Sequence, residues 1–158
     1  MTLAGDACVT AEQTNFSCPE GEFSPSVLIV DDDLDMLAML ERVVRKKCRC
    51  EVKTAPSGEK AWEILQEWHP DLVLTDIKMP GLDGLTLLKN IKKEYPAVAV
   101  IMMSGHGTVE SAITALKNGA YDFIQKPFDQ EHLLHILQRC LEHLCLLEKN
   151  RRLQSRLA

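Results

Sequence analysis

The stretch Leu72-Val73-Leu74-Thr75-Asp76-Ile77-Lys78-Met79-Pro80-Gly81 sets one acid, Asp76, at the end of an apolar run and just before a Pro-Gly turn. An apolar run bounded this tightly suits a strand buried on both faces of a parallel sheet. The carboxylate then stands at the carboxyl end of that strand, where open α/β sheets bind their ligands. By itself an acid before a turn is ordinary turn chemistry. Two more acids, however, end an earlier run, Val27-Leu28-Ile29-Val30-Asp31-Asp32, and the pair Lys126-Pro127 closes a later one. Three strand ends carrying three acids and a lysine suit a site that holds a cation and an anion together.

Working outward, further apolar runs lie at Val98–Met103 and, more weakly, at Cys50–Thr54 and Tyr121–Ile124. Helical patterns separate them. The first, marked by Leu34, Leu37, Ala38, Leu40, Val43 and Val44, follows Asp33 as N-cap. The second runs from Ser57 to Trp68 and is stopped by His69-Pro70. The third covers Gly84–Glu94 with Leu85, Leu88 and Ile91 inward, and the fourth covers Thr108–Asn118 with Gly119 as C′ residue. A fifth starts near Asp129 and continues nearly to the C-terminus. Five strands alternating with five helices predict a doubly wound α/β domain. Three segments are expected: a disordered leader over 1–24, a domain over 25–142, and an extension of the last helix over 143–158.

Composition narrows the function classes. The 158 residues suffice for one ordinary domain, and 46% hydrophobic with 26% charged residues describes a soluble globular chain. A formal net charge of −5 recommends no direct nucleic-acid binding. The local basic patch of Arg42, Arg45, Lys46, Lys47, Arg49 and Lys53 has no interleaved aromatics and fits a helix C-terminus and loop. Six cysteines, Cys8, Cys18, Cys48, Cys50, Cys140 and Cys145, form no C-x-x-C pair or zinc spacing. With no secretory signal and no membrane-spanning run, free thiols in a reducing cytoplasm are expected.

Right-handed crossovers bring every strand's carboxyl end to one rim of the sheet. Asp31, Asp32, Asp76, Ser104 and Lys126 all fall there. Clustered carboxylates stay ionised together only beside a compensating cation. Oxygen donors without His or Cys favour Mg²⁺ over zinc or copper. Lys126 offers a compact positive charge to a phosphoryl group, and Ser104 a neutral hydroxyl. Gly105 and Gly107 flank His106 and leave the backbone open to approach. The set points to attack by a carboxylate, giving an aspartyl-phosphate.

These residues and their spacing resemble the receiver domain of bacterial two-component response regulators. The resemblance rests on Val30-Asp31-Asp32-Asp33, on Thr75-Asp76-Ile77-Lys78-Met79-Pro80-Gly81-Leu82-Asp83-Gly84, on Ser104-Gly105 and on Lys126-Pro127-Phe128. Asp76 lies 45 residues after Asp31, and Lys126 lies 50 after Asp76, as the family's order requires. It implies a flavodoxin-like five-stranded sheet in the order 2-1-3-4-5. It also implies that Asp76 accepts a phosphoryl group from a partner sensor histidine kinase, in a reaction the receiver itself catalyses. Asp32, Asp76 and the backbone carbonyl of Lys78 would bind Mg²⁺ directly, and Asp31 chiefly through water. Ser104 would bond the phosphoryl oxygens, Lys126 would pair with them, and the Lys126–Pro127 bond would be cis. Phe123 occupies the switch-aromatic position, although a static core role is the competing reading. By the same resemblance Lys78 and His106 would border the pocket mouth and tune phosphoryl lifetime, with a solvated lysine and a surface histidine as the competing readings.

The run from Ser104 to Ala112, with Gly119 to Phe123, is most similar to the nitrogen-regulation class of sigma-54-dependent activators. Those regulators carry an ATPase and a DNA-binding domain, and no phosphate-loop motif occurs in this chain. The last helix outruns the domain. Leu133, Leu137, Cys140, Leu144 and Leu147 form one seam, expected on the sheet. Leu146, Asn150, Leu153 and Leu157 form a second, suited to a short homodimeric coiled coil or to a linker. Dimerisation could instead use the face of the fourth helix, fifth strand and fifth helix. A stand-alone receiver or phosphorelay module is the alternative function. A turnover phosphatase is disfavoured, because Lys78 stands where such enzymes place a second acid.

Overall fold

The computed structural model describes residues 25–48, 50–105 and 109–157. The leader over 1–24 and His106 lie outside the described residues. Five strands form one sheet: β1 (Ser26–Val30), β2 (Glu51–Ala55), β3 (Leu72–Asp76), β4 (Ala99–Ser104) and β5 (Asp122–Gln125). All pairings are parallel and the order is β2-β1-β3-β4-β5. The expected flavodoxin-like topology is therefore the observed one.

The helices are α1 (Leu34–Cys48), α2 (Gly58–Glu67), α3 (Gly84–Glu94), α4 (Val109–Lys117) and α5 (Gln130–Leu157). Short polar side chains start them by taking up orphan backbone donors. Asp33 Oδ1 accepts from the N–H groups of Asp35 and Met36 at 3.1 and 3.3 Å. Ser57 Oγ accepts from Lys60 N, and Asp83 Oδ1 from Thr86 N at 2.9 Å. Asp129 does the same for His132 at 2.7 Å. Gly119 follows α4 at φ +102°, where a Cβ would be strained.

Alternation along each strand divides the core in two. Val27, Ile29, Leu72, Leu74, Ile101 and Met103 face α1 and α5. Leu28, Val30, Val73, Val100 and Met102 face α2, α3 and α4. Because β1, β3 and β4 are covered on both sides, nearly every residue in them is buried. Each fully buried Leu or Ile contributes roughly 1.5–3 kcal/mol through burial.

Several inward assignments differ from expectation. In α3 the fully buried residues are Leu87, Leu88 and Ile91, while Leu85 is half-buried at the helix margin. In α1, Leu34 and Ala38 are exposed, and Leu37, Leu40, Val44 and Cys48 carry the contact. In α5 the buried face runs from Leu133 through Cys140 and Leu141 to Cys145. Leu147, expected on the sheet, is 50% exposed, because the sheet ends before α5 does.

Two members of the basic patch, Arg45 and Lys53, are committed to their own surroundings. Arg45 Nη2 bonds Glu41 at 2.9 Å and the Val52 carbonyl at 2.8 Å, and Lys53 Nζ sits 4.7 Å from the Trp68 ring centroid. Cys48, Cys50 and Cys140 are free and buried. Burial, reinforced by Asp122, pushes the Cys140 thiol up to about 12, so it packs as an inert small hydrophobe. Cys145 is disulfide-bonded and so departs from the expectation of free thiols. No helix of the described residues is long and apolar enough to cross a membrane.

Candidate functional site

Parallel pairing puts the ends of β1, β3, β4 and β5 side by side, and the charged residues leave the sheet there. Asp31 is fully buried, Asp76 is 8% exposed, and Asp32 faces solvent. One carboxylate oxygen from each lies within 4.8 Å of the others. Lys126 reaches in from the end of β5. Its Nζ donates to Asp31 Oδ2 at 2.8 Å and to Asp76 Oδ2 at 3.1 Å. The second oxygen of Asp31 accepts the Asp33 N–H at 2.9 Å, which turns the chain into α1. Among the described residues, no buried side-chain nitrogen or oxygen lacks a hydrogen-bond partner.

Electrostatics follow from this packing. Burial raises the Asp76 carboxyl above the ordinary carboxylate range; Lys126 pulls it down, Asp31 pushes it up, and a backbone hydrogen bond from Lys78 pulls it down. Burial disfavours the Lys126 ammonium, but hydrogen bonds and charge from Asp31 and Asp76 outweigh that and hold it above the usual lysine value. One ammonium thus balances two buried carboxylates, and the exposed carboxylate of Asp32 opens the cluster to water. Three hard oxygen donors converging at a rim fit Mg²⁺, which takes carboxylates and keeps several waters.

Ser104 is buried at the end of β4, and its carbonyl accepts the Lys126 N–H at 2.7 Å. The Lys126–Pro127 bond is cis, as the resemblance implied. Phe123 pairs in register with Met102 and is half-buried against the α2-α3-α4 side of the core. Lys78 is exposed and lines an open recess with Met79, Pro80 and Asp83.

The β3–α3 loop, residues 77–83, is held on three sides. Ile77 N–H donates to the Met103 carbonyl at 2.9 Å, and Gly84 N–H to the Ile77 carbonyl at 2.7 Å. A Cβ on Gly84 would sit 2.0 Å from the Asp76 carbonyl oxygen, so only glycine fits behind the acid. On the far side, Glu59 Oε2 accepts the Leu82 N–H at 2.9 Å. Gly84 was visible only as part of the Asp83-Gly84 motif. Glu59 carried no signal, since an acid in a first helical turn reads as dipole complement.

The fold and rim together define a doubly wound parallel α/β domain with an acid trio and a lysine at the carboxyl ends of its strands. Residues 27–138 match the response regulator receiver domain family, and the chain belongs to it. It is similar to the nitrogen assimilation regulatory protein NtrX of Azorhizobium caulinodans, 41% identical over 131 residues that make up 82% of this chain and 29% of that protein. The DNA-binding transcriptional regulator NtrC of Escherichia coli K12 is 38% identical, over 74% of this chain and 25% of its own length. The chain therefore spans under a third of the curated relatives named here. Among solved structures, NtrX from Brucella abortus superposes with a TM-score of 0.76 at 37% identity, covering 83% of this chain and 30% of that one. The separate receiver domain of the same protein gives 0.69 at 40% identity, covering 73% and 98%.

Proposed function

We propose that this chain is the phosphorylation-controlled switch of a two-component regulator of the NtrX/NtrC kind, with Asp76 as phosphoacceptor. The observation that carries the reading is the placement of the Asp76 carboxylate, which shares a 4.8 Å cluster with Asp31 and Asp32 and bonds Lys126 at 3.1 Å. In the transfer, an Asp76 oxygen forms a bond to phosphorus as the bond from phosphorus to a histidine nitrogen of a sensor kinase breaks. That nitrogen keeps the electron pair. Asp32, Asp76 and the Lys78 carbonyl would hold Mg²⁺, with Asp31 acting through water. When bound, the ion offsets the charge of the phosphoryl oxygens.

Lys126 then exchanges its contact with Asp76 for one with a phosphoryl oxygen, and Ser104 donates its hydroxyl to another. Movement of Ser104 lets Phe123 turn inward from its half-buried position, with no hydroxyl involved. The surface this remodels lies on α4, β5 and α5, where Val109, Ile113, Leu116 and Tyr121 are exposed. Homodimerisation through that face or through the end of α5 would carry the signal to a transcriptional output domain outside this chain. Lys78 and His106 would tune how readily water attacks the acyl phosphate. The setting is cytoplasmic, residues 25–142 forming the receiver and 143–158 the dimerising or linking extension.

The test is incubation with a small phosphodonor and Mg²⁺, followed by intact-mass measurement. One added phosphoryl group is expected, absent in Asp76→Asn. Persistence of the adduct in that variant would remove Asp76 as acceptor.

A further inference from the structure

We infer that Glu59, on the first turn of α2, is a positioning residue for the cation site: it holds the β3–α3 loop so that the Lys78 carbonyl faces Asp32 and Asp76. The inference rests on the reading above, in which that carbonyl is a ligand. It starts from Leu82, whose backbone α2 grips at both ends. The Leu82 N–H donates to Glu59 Oε2 at 2.9 Å. Its carbonyl oxygen lies against Gly58, so closely that a Cβ there would sit 2.2 Å away. Between Lys78 and Leu82 the chain turns through Gly81 at φ +78°, and a Cβ on Gly81 would lie 2.4 Å from the same Glu59 oxygen.

Of the other anchors, the Lys78 N–H bonds the Asp76 carboxylate and so fixes the peptide before Lys78, not the one that carries its carbonyl. Ile77 and Gly84 fix the two ends of the loop to β4 and to each other. Met79 is buried, which fixes a side chain but not the orientation of the Lys78 peptide. The half of the loop nearest solvent has Glu59 as its one hydrogen-bonded side-chain tie to α2 among the described residues. A ligand carbonyl must be aimed to within a fraction of an ångström, and Mg²⁺ tolerates misdirection poorly. Glu59 is exposed and 23 residues from Leu82 in sequence, so it adds little to the core and much to the loop's orientation. A carboxylate acceptor gives the tie a stronger hydrogen bond than a neutral oxygen.

The experiment measures Mg²⁺ binding by calorimetry on the full chain, and hydrogen exchange at the Leu82 amide without metal. Four proteins are compared: unaltered, Glu59→Ala, Glu59→Gln and Glu63→Ala. Glu63 lies on the same helix and pairs with Lys60, away from the loop. For Glu59→Ala we expect about tenfold weaker Mg²⁺ binding and faster Leu82 exchange. Glu59→Gln, which keeps an acceptor oxygen, should recover most of the affinity, and Glu63→Ala should match the unaltered chain. Unaltered affinity in Glu59→Ala, or an equal loss in Glu63→Ala, overturns the positioning role while leaving the phosphoacceptor reading intact. An unaltered chain that binds no Mg²⁺ overturns both.

Discussion

Lys126 holds its ammonium 3.1 Å from the Asp76 carboxylate although 50 residues separate the two in sequence. It also bonds the fully buried Asp31 at 2.8 Å, so one cation stabilises two acids that would otherwise repel. Replacing Lys126 by Met leaves that pair uncompensated. A loss of about 3 kcal/mol is expected in urea unfolding near neutral pH without metal. Added Mg²⁺ should restore part of it. An unchanged midpoint in metal-free buffer would contradict the balance described.

The pH dependence of Asp76 has a definite sign. Its folded-state carboxyl titrates above the ordinary carboxylate value, chiefly because it is buried. The folded state therefore favours the protonated form. Stability from this group is fully present below the usual carboxylate range and is lost as pH rises through the folded value. Asp76→Asn should accordingly be more stable than the unaltered chain at neutral pH in metal-free buffer. Its advantage should shrink as the pH falls toward 4 or so, the range where an ordinary Asp protonates. Denaturant midpoints at several pH values would read this directly.

Metal linkage gives a third prediction. A ligand that binds only the folded state adds about 2.7 kcal/mol at one hundred times its dissociation constant. Mg²⁺ should raise the melting temperature of the unaltered chain accordingly. Asp32 is the exposed member of the cluster, and Asp32→Asn should cut the affinity about tenfold with little change in metal-free stability. Calorimetric titration of both proteins checks it.

Gly84 lies behind Asp76, and a methyl group there would meet the Asp76 carbonyl oxygen at 2.0 Å. Gly84→Ala should cost about 2–3 kcal/mol, because the contact is with backbone that cannot rotate away. It should also slow phosphorylation by displacing the start of the loop. Unfolding and phosphorylation rates of the same variant would separate the two effects.

The end of α5 carries Leu146, Leu147 and Leu153 at 64%, 50% and 48% exposure. Replacing Leu146 and Leu153 by Ser removes apolar surface that the domain does not cover. The dimer fraction in sedimentation should fall, with the melting temperature of the domain nearly unchanged. If the dimer fraction is the same, association uses another face.

The site was legible in the sequence because each of its charged members stands at the end of a strand, and parallel topology leaves such ends nowhere else to go. Asp31, Asp76 and Lys126 could be placed together from that rule alone. The loop around them was less legible. Glu59 meets Leu82 only because α2 and α3 start beside each other, a relationship no local pattern encodes. Leu85 and Leu87 satisfy the helical period almost equally, and only the roll of α3 on the sheet selects Leu87. Leu147 fits the seam that Leu133 begins, but a repeat does not record where the surface it packs on stops.

The last helix has a mechanical consequence. It begins at Gln130, four residues after Lys126, and runs for 28 residues. At 1.5 Å per residue that is about 42 Å of rod, of which the domain clasps only the first part. Its foot rests beside the lysine that bonds Asp76. A tilt of about 5° at that foot carries the far tip by some 3–4 Å, roughly the spacing between neighbouring atoms in contact. A rearrangement too small to alter the sheet would thus arrive at the other end as a change in which surfaces can touch.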